Sequence, residues 1–435
     1  MRKTSLDIIA NWAQGKAILE TSITGVAVDS RLVKKDDLFV CLVGEKVDGH
    51  LFAETAISNG ASALLVNHQM DLDFPQIVVD DTLIALNKIA TSYRNTLDLF
   101  VIGITGSNGK TSTKDMLHSI LSLKGKTWAT HSNQNTEIGT YLNLFNLDDS
   151  YDYGVFEFGL DKPGEVSNMV NLMKADGALL TSLAPAHMVN FKDIDHIADE
   201  KVKIFDSIQN PNLAYYQGDF DHYKSRIGRK FKSYGFDESN DFIVKDIKLG
   251  NFGVEFSVNN EFYSTNLMGS HQASNAAGVI ALCLAMGIDE ETIKEGLNNV
   301  ELTGLRTEIL QHKNSTLILD AYKSNPSSTL YALELMDAYT FEGPRYCVLS
   351  EMVELGFESD AAHRQVLDAL KQSKVTKVYT LGDEFKKLSN FYDIEVFDDF
   401  ESLDHQVQCL FEEKALILIK GSRSYALERL VRKDD

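Results

Sequence analysis

The chain has 435 residues, longer than one hydrophobic core usually organises, which predicts two or three domains. Its composition, 44% hydrophobic and 24% charged, is that of a folded protein and excludes a disordered or low-complexity chain. A formal net charge of -21 opposes binding to nucleic acid or an anionic membrane, because both depend on Lys and Arg neutralising phosphate. Any anionic substrate must therefore be met by locally placed cations. Four scattered cysteines (Cys41, Cys283, Cys347 and Cys409), with no CxxC pair, indicate neither a disulfide framework nor a structural zinc site. The N-terminal MRKTSLDIIANWAQ turns polar before it builds a signal-peptide core, and no apolar run reaches the roughly 18 residues that span a bilayer. A cytoplasmic protein without membrane insertion is expected.

From Ile23 to about Leu97, short β-type runs (GVAVDS, DLFVCL, SALLVN, QIVVD) alternate with Gly/Asp turns and one helical stretch around Leu51 to Gly60. The pattern resets near Asn95 to Leu99. An apolar run to Thr105 then ends in a glycine-rich turn, followed by a helix-like Lys110 to Leu123, as at the start of a nucleotide-binding α/β unit. Further strand candidates at Tyr153 to Phe158 and Gly177 to Ser182 predict a largely parallel sheet. Residues Ile243 to Met268 alternate apolar and polar positions instead, which predicts an antiparallel patch before a helix that begins near His271. After Arg306 the cycle restarts with STLILD, YCVLS, KVYTLG and ALILIK, each followed by a helical pattern, as in a doubly wound unit. The expected fold is α/β with three domains. A small mixed α/β domain would cover 1–97, a central P-loop ATPase domain with a mainly parallel sheet 98–306, and a Rossmann-like domain 307–435.

The segment Thr105-Gly106-Ser107-Asn108-Gly109-Lys110-Thr111 has the strand-before, helix-after context of a phosphate loop. Glycines let backbone N–H groups close on phosphate oxygens, and the helix N-terminus adds favourable partial charge. Lys110 would bridge the β and γ phosphates, and the Thr111 hydroxyl would ligate Mg²⁺. The spacing departs from G-x-x-x-x-G-K-[ST], since Ile104 stands five positions before Gly109. The alternative is a glycine-rich turn with a solvated lysine.

TGSNGKT resembles the phosphate loop of Mur ligases and of the related folylpolyglutamate synthases. Further blocks similar to those of the Mur ligase family follow in order: DSR, EFG (Glu157 to Gly159), AH then EK (His187, Lys201) and GSHQASN (Gly269 to Asn275). Then come LR (Leu305-Arg306), DAYKSNP (Asp320 to Pro326), EMVELG (Glu351 to Gly356) and KGSRS (Lys420 to Ser424). NQNTEIG (Asn133 to Gly139), DAYKSNP and EMVELG are most similar to the blocks of the D-alanyl-D-alanine-adding members. The Y-A-H-x-P and D-N-P-R blocks of diaminopimelate-adding relatives are absent, and the DSR-bearing N-terminal region disfavours the folate relatives. The resemblance implies an enzyme that uses ATP and Mg²⁺ to join D-alanyl-D-alanine to UDP-N-acetylmuramoyl-tripeptide through an acyl phosphate. It also implies a cytoplasmic monomer whose three domains share one reaction centre, with hinges near residues 97 and 306.

The resemblance also implies roles for single residues. Glu157, at the end of an apolar strand, would ligate Mg²⁺, with His187 as a second ligand, although a lone His is more often structural. Lys201 lies 14 positions after His187, the spacing of the lysine that many Mur ligases carry as a carbamate, whose negative charge would act beside the metal. Nearby Lys203 makes that assignment less unique. Together with the loop residues and Thr113, Asn275 would reach the adenine, Arg306 the phosphates and Asp320 the ribose. Gln272 and Thr136 stand where the family more often has Asn. Lys323 replaces the Asn of D-[AS]-Y-N-A-N-P, and would either approach the γ phosphate or face solvent. Substrate contacts are implied for Ser30 and Arg31, for Asn133 and Asn135, and for Asn325, Lys420 and Ser422. The DSR and Asp48-Gly49-His50 segments are, taken alone, common surface loops.

Overall fold

The computed structural model describes residues 1–44, 46–131, 134–186, 188–303 and 307–431. Near the N-terminus, Thr4–Ser5 pairs with Ser22–Ile23. A five-stranded sheet follows in the order Lys16–Ile18, Gln76–Val78, Ala61–Val66, Asp37–Val40, Gly25–Ala27, parallel except at its first pair. The helical stretch expected around Leu51 is a 3-10 turn, Gly49–Phe52, running into the short helix Ala53–Ser58. Two helices that the sequence pattern did not predict, Leu6–Ala13 and Thr82–Arg94, cover the sheet. The second starts sharply because the Asp81 carboxylate accepts hydrogen bonds from the N–H groups of Leu83 and Ile84, both at 2.8 Å.

The central sheet has nine strands. Its site-bearing elements are β1 (Phe100–Thr105), α1 (Lys110–Ser122), α2 (Glu137–Leu144), β2 (Tyr153–Glu157), β3 (Gly177–Leu180), α3 (Ile194–Val202) and α4 (Ser270–Ala285). Strand β1 lies between β2 and β3, parallel to both, and consecutive strands leave to either side of it. A crevice forms beyond the carboxyl ends of the strands at such a switch point. The sheet continues through Ala214–Gln217, Lys232–Gly235 and Phe242–Gly250, then turns antiparallel over Gly253–Val258 and Glu261–Thr265.

The C-terminal sheet has six strands in the order Glu308–His312, β4 (Ser315–Asp320), β6 (Leu416–Lys420), β5 (Arg345–Ser350), Lys377–Leu381, Glu395–Phe397. Only the first pair is antiparallel. Helix α5 (Pro326–Ala338) follows β4 and packs toward the central unit. The hydrophobic cores are divided unequally. One continuous cluster runs from Leu6, Leu38 and Leu65 through Ile89 and Tyr93 to Leu144, Phe156 and Met169, so the N-terminal and central units share a core. The C-terminal sheet has its own clusters on its two faces.

Candidate active site

At the end of β1 the chain passes Gly106 at φ +151° and Gly109 at φ +84° before α1 begins at Lys110. A Cβ on Gly106 would lie 1.9 Å from Thr181 Oγ1, and one on Gly109 would lie 2.6 Å from Asn275 Oδ1, so both positions require glycine. The loop is tied to the exit of β3. Ser107 N donates to Ser182 O (2.7 Å), Asn108 N donates to Ser182 Oγ (3.0 Å), and Thr181 Oγ1 donates to Asn108 O (2.6 Å). These bonds hold the loop in shape before any anion arrives, which lowers the ordering cost of binding one. Lys110 arcs back so that Nζ donates to Gly106 O at 2.7 Å.

Glu157 ends β2 beside Ile104 of β1 and is 1% exposed. Its Oε2 accepts from Asn135 Nδ2 at 3.4 Å. Its Oε1, with Thr111 Oγ1 and Thr113 Oγ1, is buried without a hydrogen-bond partner among the described residues. Such buried orphan oxygens are costly unless a ligand satisfies them. A hydroxyl and one carboxylate form a hard-oxygen donor set, which fits Mg²⁺ bound mainly by phosphates and water. Among the described residues no three His, Cys, Asp or Glu side chains gather, so an all-protein metal cage is absent there.

Lys201 is placed by the last turn of α3, which Asp193 caps by accepting from His196 N at 2.8 Å. Lys201 is 4% exposed, and its side chain makes no hydrogen bond or ion pair with another described residue. Burial, then the charges of Lys110 and Lys323, holds its amine well below the usual lysine range. Lys203, by contrast, is one-third exposed and paired with Glu200.

The phosphate loop, Asn135 and Lys201 face a cavity of about 390 Å³ between the central and C-terminal units, lined also by Gln272, Asp320, Lys323 and Lys420 among others, whereas the buried Thr111 and Glu157 are not part of its lining. On the C-terminal side, Asn325 caps α5 by accepting from Ser328 N (3.0 Å) while its Nδ2 donates to Asn108 Oδ1 (2.7 Å). Asp320 and Lys420 are register neighbours on β4 and β6, and Lys420 Nζ donates to Asp320 Oδ2 at 2.7 Å and to Lys323 O at 3.0 Å. The buried Lys420 is thus committed within the protein, and the cation that its strand-and-turn motif offers to a ligand is already shared with Asp320. Ser422 is likewise buried, its Oγ donating to Glu351 O at 2.9 Å.

Asn275 is buried beside Gly109 and bonded to Gln272, whose Nε2 donates to Ser112 Oγ at 3.2 Å. Gln272, not Asn275, lines the cavity. Its longer amide reaches the phosphate-loop helix. Ser30 and Arg31 belong to the N-terminal unit and do not line this cavity. Arg31 is exposed and paired with Asp29 at 2.6 Å, which pulls the Asp29 carboxyl down to about 2. His50 is buried, its Nδ1 2.6 Å from Asp48 Oδ1 and its Nε2 accepting from Asn67 N at 3.2 Å. Asn133, His187 and Arg306 lie outside the described residues. One feature escaped sequence reasoning: His271 of α4 stacks on Tyr331 of α5, ring centroids 4.5 Å apart, on the cavity wall. Burial lowers the His271 imidazole to about 4, so it is neutral there. Only its position beside Gln272 could have flagged it, because the partner lies 60 positions away in another unit.

The family model of the Mur ligase middle domain matches residues 104–283, that of the Mur ligase glutamate ligase domain 305–423, and that of the Mur ligase family catalytic domain 22–95. The chain is 34% identical to UDP-N-acetylmuramoyl-tripeptide--D-alanyl-D-alanine ligase of Escherichia coli (strain K12), over 98% of this chain and 96% of that protein. It is 31% identical to the enzyme of that name from Bacillus subtilis (strain 168), over 95% and 93%. The crystal structure of MurF from Acinetobacter baumannii superposes with a TM-score of 0.91 at 26% identity, covering 99% of this chain and 98% of that one. Full-length likeness in sequence and in fold, around a phosphate loop that faces a two-unit cavity, places this chain in the Mur ligase family.

Proposed function

We propose that this chain is the ATP-dependent ligase that joins D-alanyl-D-alanine to UDP-N-acetylmuramoyl-tripeptide in peptidoglycan precursor synthesis, acting as a monomer in the cytoplasm. The observation that carries the reading is the cavity in which a preformed phosphate loop, Asn135 and Lys201 face a wall contributed by the C-terminal unit, with the unsatisfied Thr111 and Glu157 oxygens buried next to the loop and to Asn135. No described helix is long and apolar enough to cross a membrane. In this reading residues 1–97 hold the uridine nucleotide through Ser30 and Arg31, 98–306 hold ATP, and 307–435 hold most of the dipeptide.

Joining a carboxylate to an amine in water is uphill, so the terminal carboxylate of the tripeptide first takes the γ-phosphoryl group of ATP. The dipeptide amine then attacks the acyl carbon, and phosphate leaves as the amide forms. Thr111 and Glu157, with His187, would hold Mg²⁺, which would supply charge neutralisation as two anions approach. Lys110 neutralises phosphate oxygens. Lys201 carries a carbamate: its neutral amine, favoured by burial, is the form that adds CO₂, and the product is an anion beside cationic Lys110 and Lys323. Asn275, Arg306, Asp320 and Thr113 complete the nucleotide site, and Asn133, Asn135, Asn325, Lys420 and Ser422 the peptide side. In Asn275, Asp320, Lys420 and Ser422, as in Asn135 and Asn325, protein hydrogen bonds set the side chain.

Mass analysis of the product from purified protein, ATP, Mg²⁺, UDP-tripeptide and D-alanyl-D-alanine tests the reading. The expected product is the pentapeptide nucleotide. Product from a single amino acid in place of the dipeptide would reassign the chain to a sibling ligase.

A further inference from the structure

We propose that Lys323 is a phosphate-contacting cation that the C-terminal unit delivers to the transferring γ-phosphoryl group, an inference that rests on the ligase reading. Its backbone is anchored on both sides. Lys323 O accepts from the buried Lys420 ammonium at 3.0 Å, which is itself held by Asp320 at 2.7 Å. Two residues further on, Asn325 exchanges two amide hydrogen bonds with Asn108 of the phosphate loop, at 2.7 and 3.3 Å. The exposed Lys323 side chain therefore starts from a peptide pinned beside the loop, and it lines the same cavity as Lys110 and Lys201. It lies near enough to Lys201 for its charge to act there.

The charge pattern gives this placement its meaning. In a chain of net charge -21, four lysines converge on one cavity, Lys110 and Lys201 from the central unit and Lys323 and Lys420 from the C-terminal one, and of the latter two Lys420 is already paired with Asp320. Loop N–H groups can neutralise the phosphates that stay with the nucleotide, and Lys110 bridges the β and γ groups. The γ group gains its extra contact only when α5 docks through Asn325 and Asn108. A cation supplied from a second domain at phosphoryl transfer is the role that an arginine finger fills in other enzymes. In the step, a carboxylate oxygen of the peptide forms a bond to γ-phosphorus while the bond from γ-phosphorus to the β,γ-bridging oxygen breaks, its electron pair leaving with ADP. Lys323 transfers no proton. It stays protonated and offsets the charge shared among the entering, transferred and leaving groups.

The block that this segment resembles carries an amide at this position, which offers a neutral hydrogen bond in place of a full charge. The inference therefore separates two nucleotides. Titration calorimetry of the full chain, with Mg²⁺ and UDP-tripeptide present, would compare the β,γ-imido analogue of ATP with ADP. Lys323→Met is expected to weaken the γ-phosphate-bearing analogue at least about tenfold and ADP less than about twofold, while Lys323→Arg keeps most of the difference. The same Met variant should lower kcat and leave the KM for D-alanyl-D-alanine and the unfolding temperature unchanged. Equal affinities of parent and variant for the analogue would overturn the inference. So would an equal loss for both nucleotides, or weakened UDP-tripeptide binding alone, which would assign the cation to the peptide carboxylate. A parent protein that makes no product would sink the ligase reading, whereas the two-nucleotide comparison still decides Lys323.

Discussion

The junction between the N-terminal and central units and the junction between the central and C-terminal units are made of different material. At the first, Tyr93 is fully buried in the shared core, donates to Leu147 O at 2.6 Å and accepts from Arg2 N at 3.0 Å, and Arg94 Nε donates to Met173 O at 2.9 Å. At the second, the contacts are separate and mostly polar: Asn108 with Asn325, Ser270 with Glu334, Asn251 with Thr340, Met188 N with Glu354 O, and the His271–Tyr331 stack. Hydrogen bonds of this kind, each worth about 1 kcal/mol net, can be exchanged for water or ligand, but a continuous core cannot be parted without exposing apolar surface. Leu97 and Leu99 themselves belong to the shared core, so packing opposes the hinge that the sequence suggested near residue 97. Movement is therefore expected at the second junction. There the linker is fixed on its central side, where the buried Asp115, paired with Lys114 at 2.6 Å, accepts from Thr303 N (2.9 Å) and Thr303 Oγ1 (2.8 Å).

If chemistry is confined to the second junction, the largest effects on activity come from charges facing its cavity. Lys110→Ala should lower ATP-dependent phosphate release by roughly 10²-fold or more with unchanged circular dichroism, because the side chain bonds to the loop and packs little. Turnover close to the parent's would reject the phosphate-loop assignment. Lys201→Ala should lose most activity and regain part of it with small carboxylic acids, while Lys203→Ala, which breaks only the pair between a one-third-exposed lysine and Glu200, does much less to activity. The same lysine predicts a pH effect on stability. Its folded pKa lies below the unfolded value of about 10.4, so between the two the unfolded chain binds the extra proton and stability rises with pH. In CO₂-free buffer Lys201→Met should therefore be more stable than the parent at neutral pH, with the gap closing toward pH 10.4. A constant gap across that range would refute the buried, neutral amine.

What could be read from the sequence follows the range of the interactions involved. The phosphate loop, the buried strands and the antiparallel patch are written in runs of fewer than ten residues, and each appears where local pattern places it. Helix Thr82–Arg94 escaped because its buried stripe, Ala85, Leu86, Ile89, Ala90 and Tyr93, is blurred by the exposed Leu83 and Ile84. Thr127–Ala129 and Glu395–Phe397 are three-residue edge strands, too short to show a period. The candidate site shows the same limit. Glycine spacing and the Glu157 strand end are local, whereas the bond between Lys420 and Asp320 exists only because strands 100 positions apart are register neighbours. Both read as ligand groups from their motifs, and nothing along the chain shows that they also bond to each other.

Stability separates the junctions as activity does. Tyr93→Ala opens a hole in the shared core and should cost about 3–5 kcal/mol, lowering one calorimetric transition that contains both the N-terminal and central units. Tyr331→Ala removes a stack worth about 1 kcal/mol at the second junction and should leave that transition in place. Two resolved transitions for the N-terminal and central units in the parent protein would contradict the shared core.

The smallest expected effect tests whether the second junction opens and closes during turnover. The tip of the antiparallel hairpin touches the C-terminal unit through Asn251, whose side chain accepts from Thr340 N at 2.9 Å and donates to Thr340 O at 3.3 Å. Both bonds are exposed, and neither residue lines the cavity, so Asn251→Ala leaves the reacting groups alone. Losing two exposed bonds shifts the docked population by about 1–2 kcal/mol at most. If ligands bind productively only to the docked form, apparent affinity falls with the docked fraction, so KM for ATP should rise by a few-fold, no more than roughly tenfold, while kcat at saturation is unchanged. X-ray scattering should show the ligand-free variant slightly more extended than the parent and the ligand-saturated pair alike. The same substitution should not alter the calorimetric transition of the N-terminal and central units. Unchanged KM together with identical scattering curves with and without ligands would mean that the second junction, for all its polar contacts, is as fixed as the first.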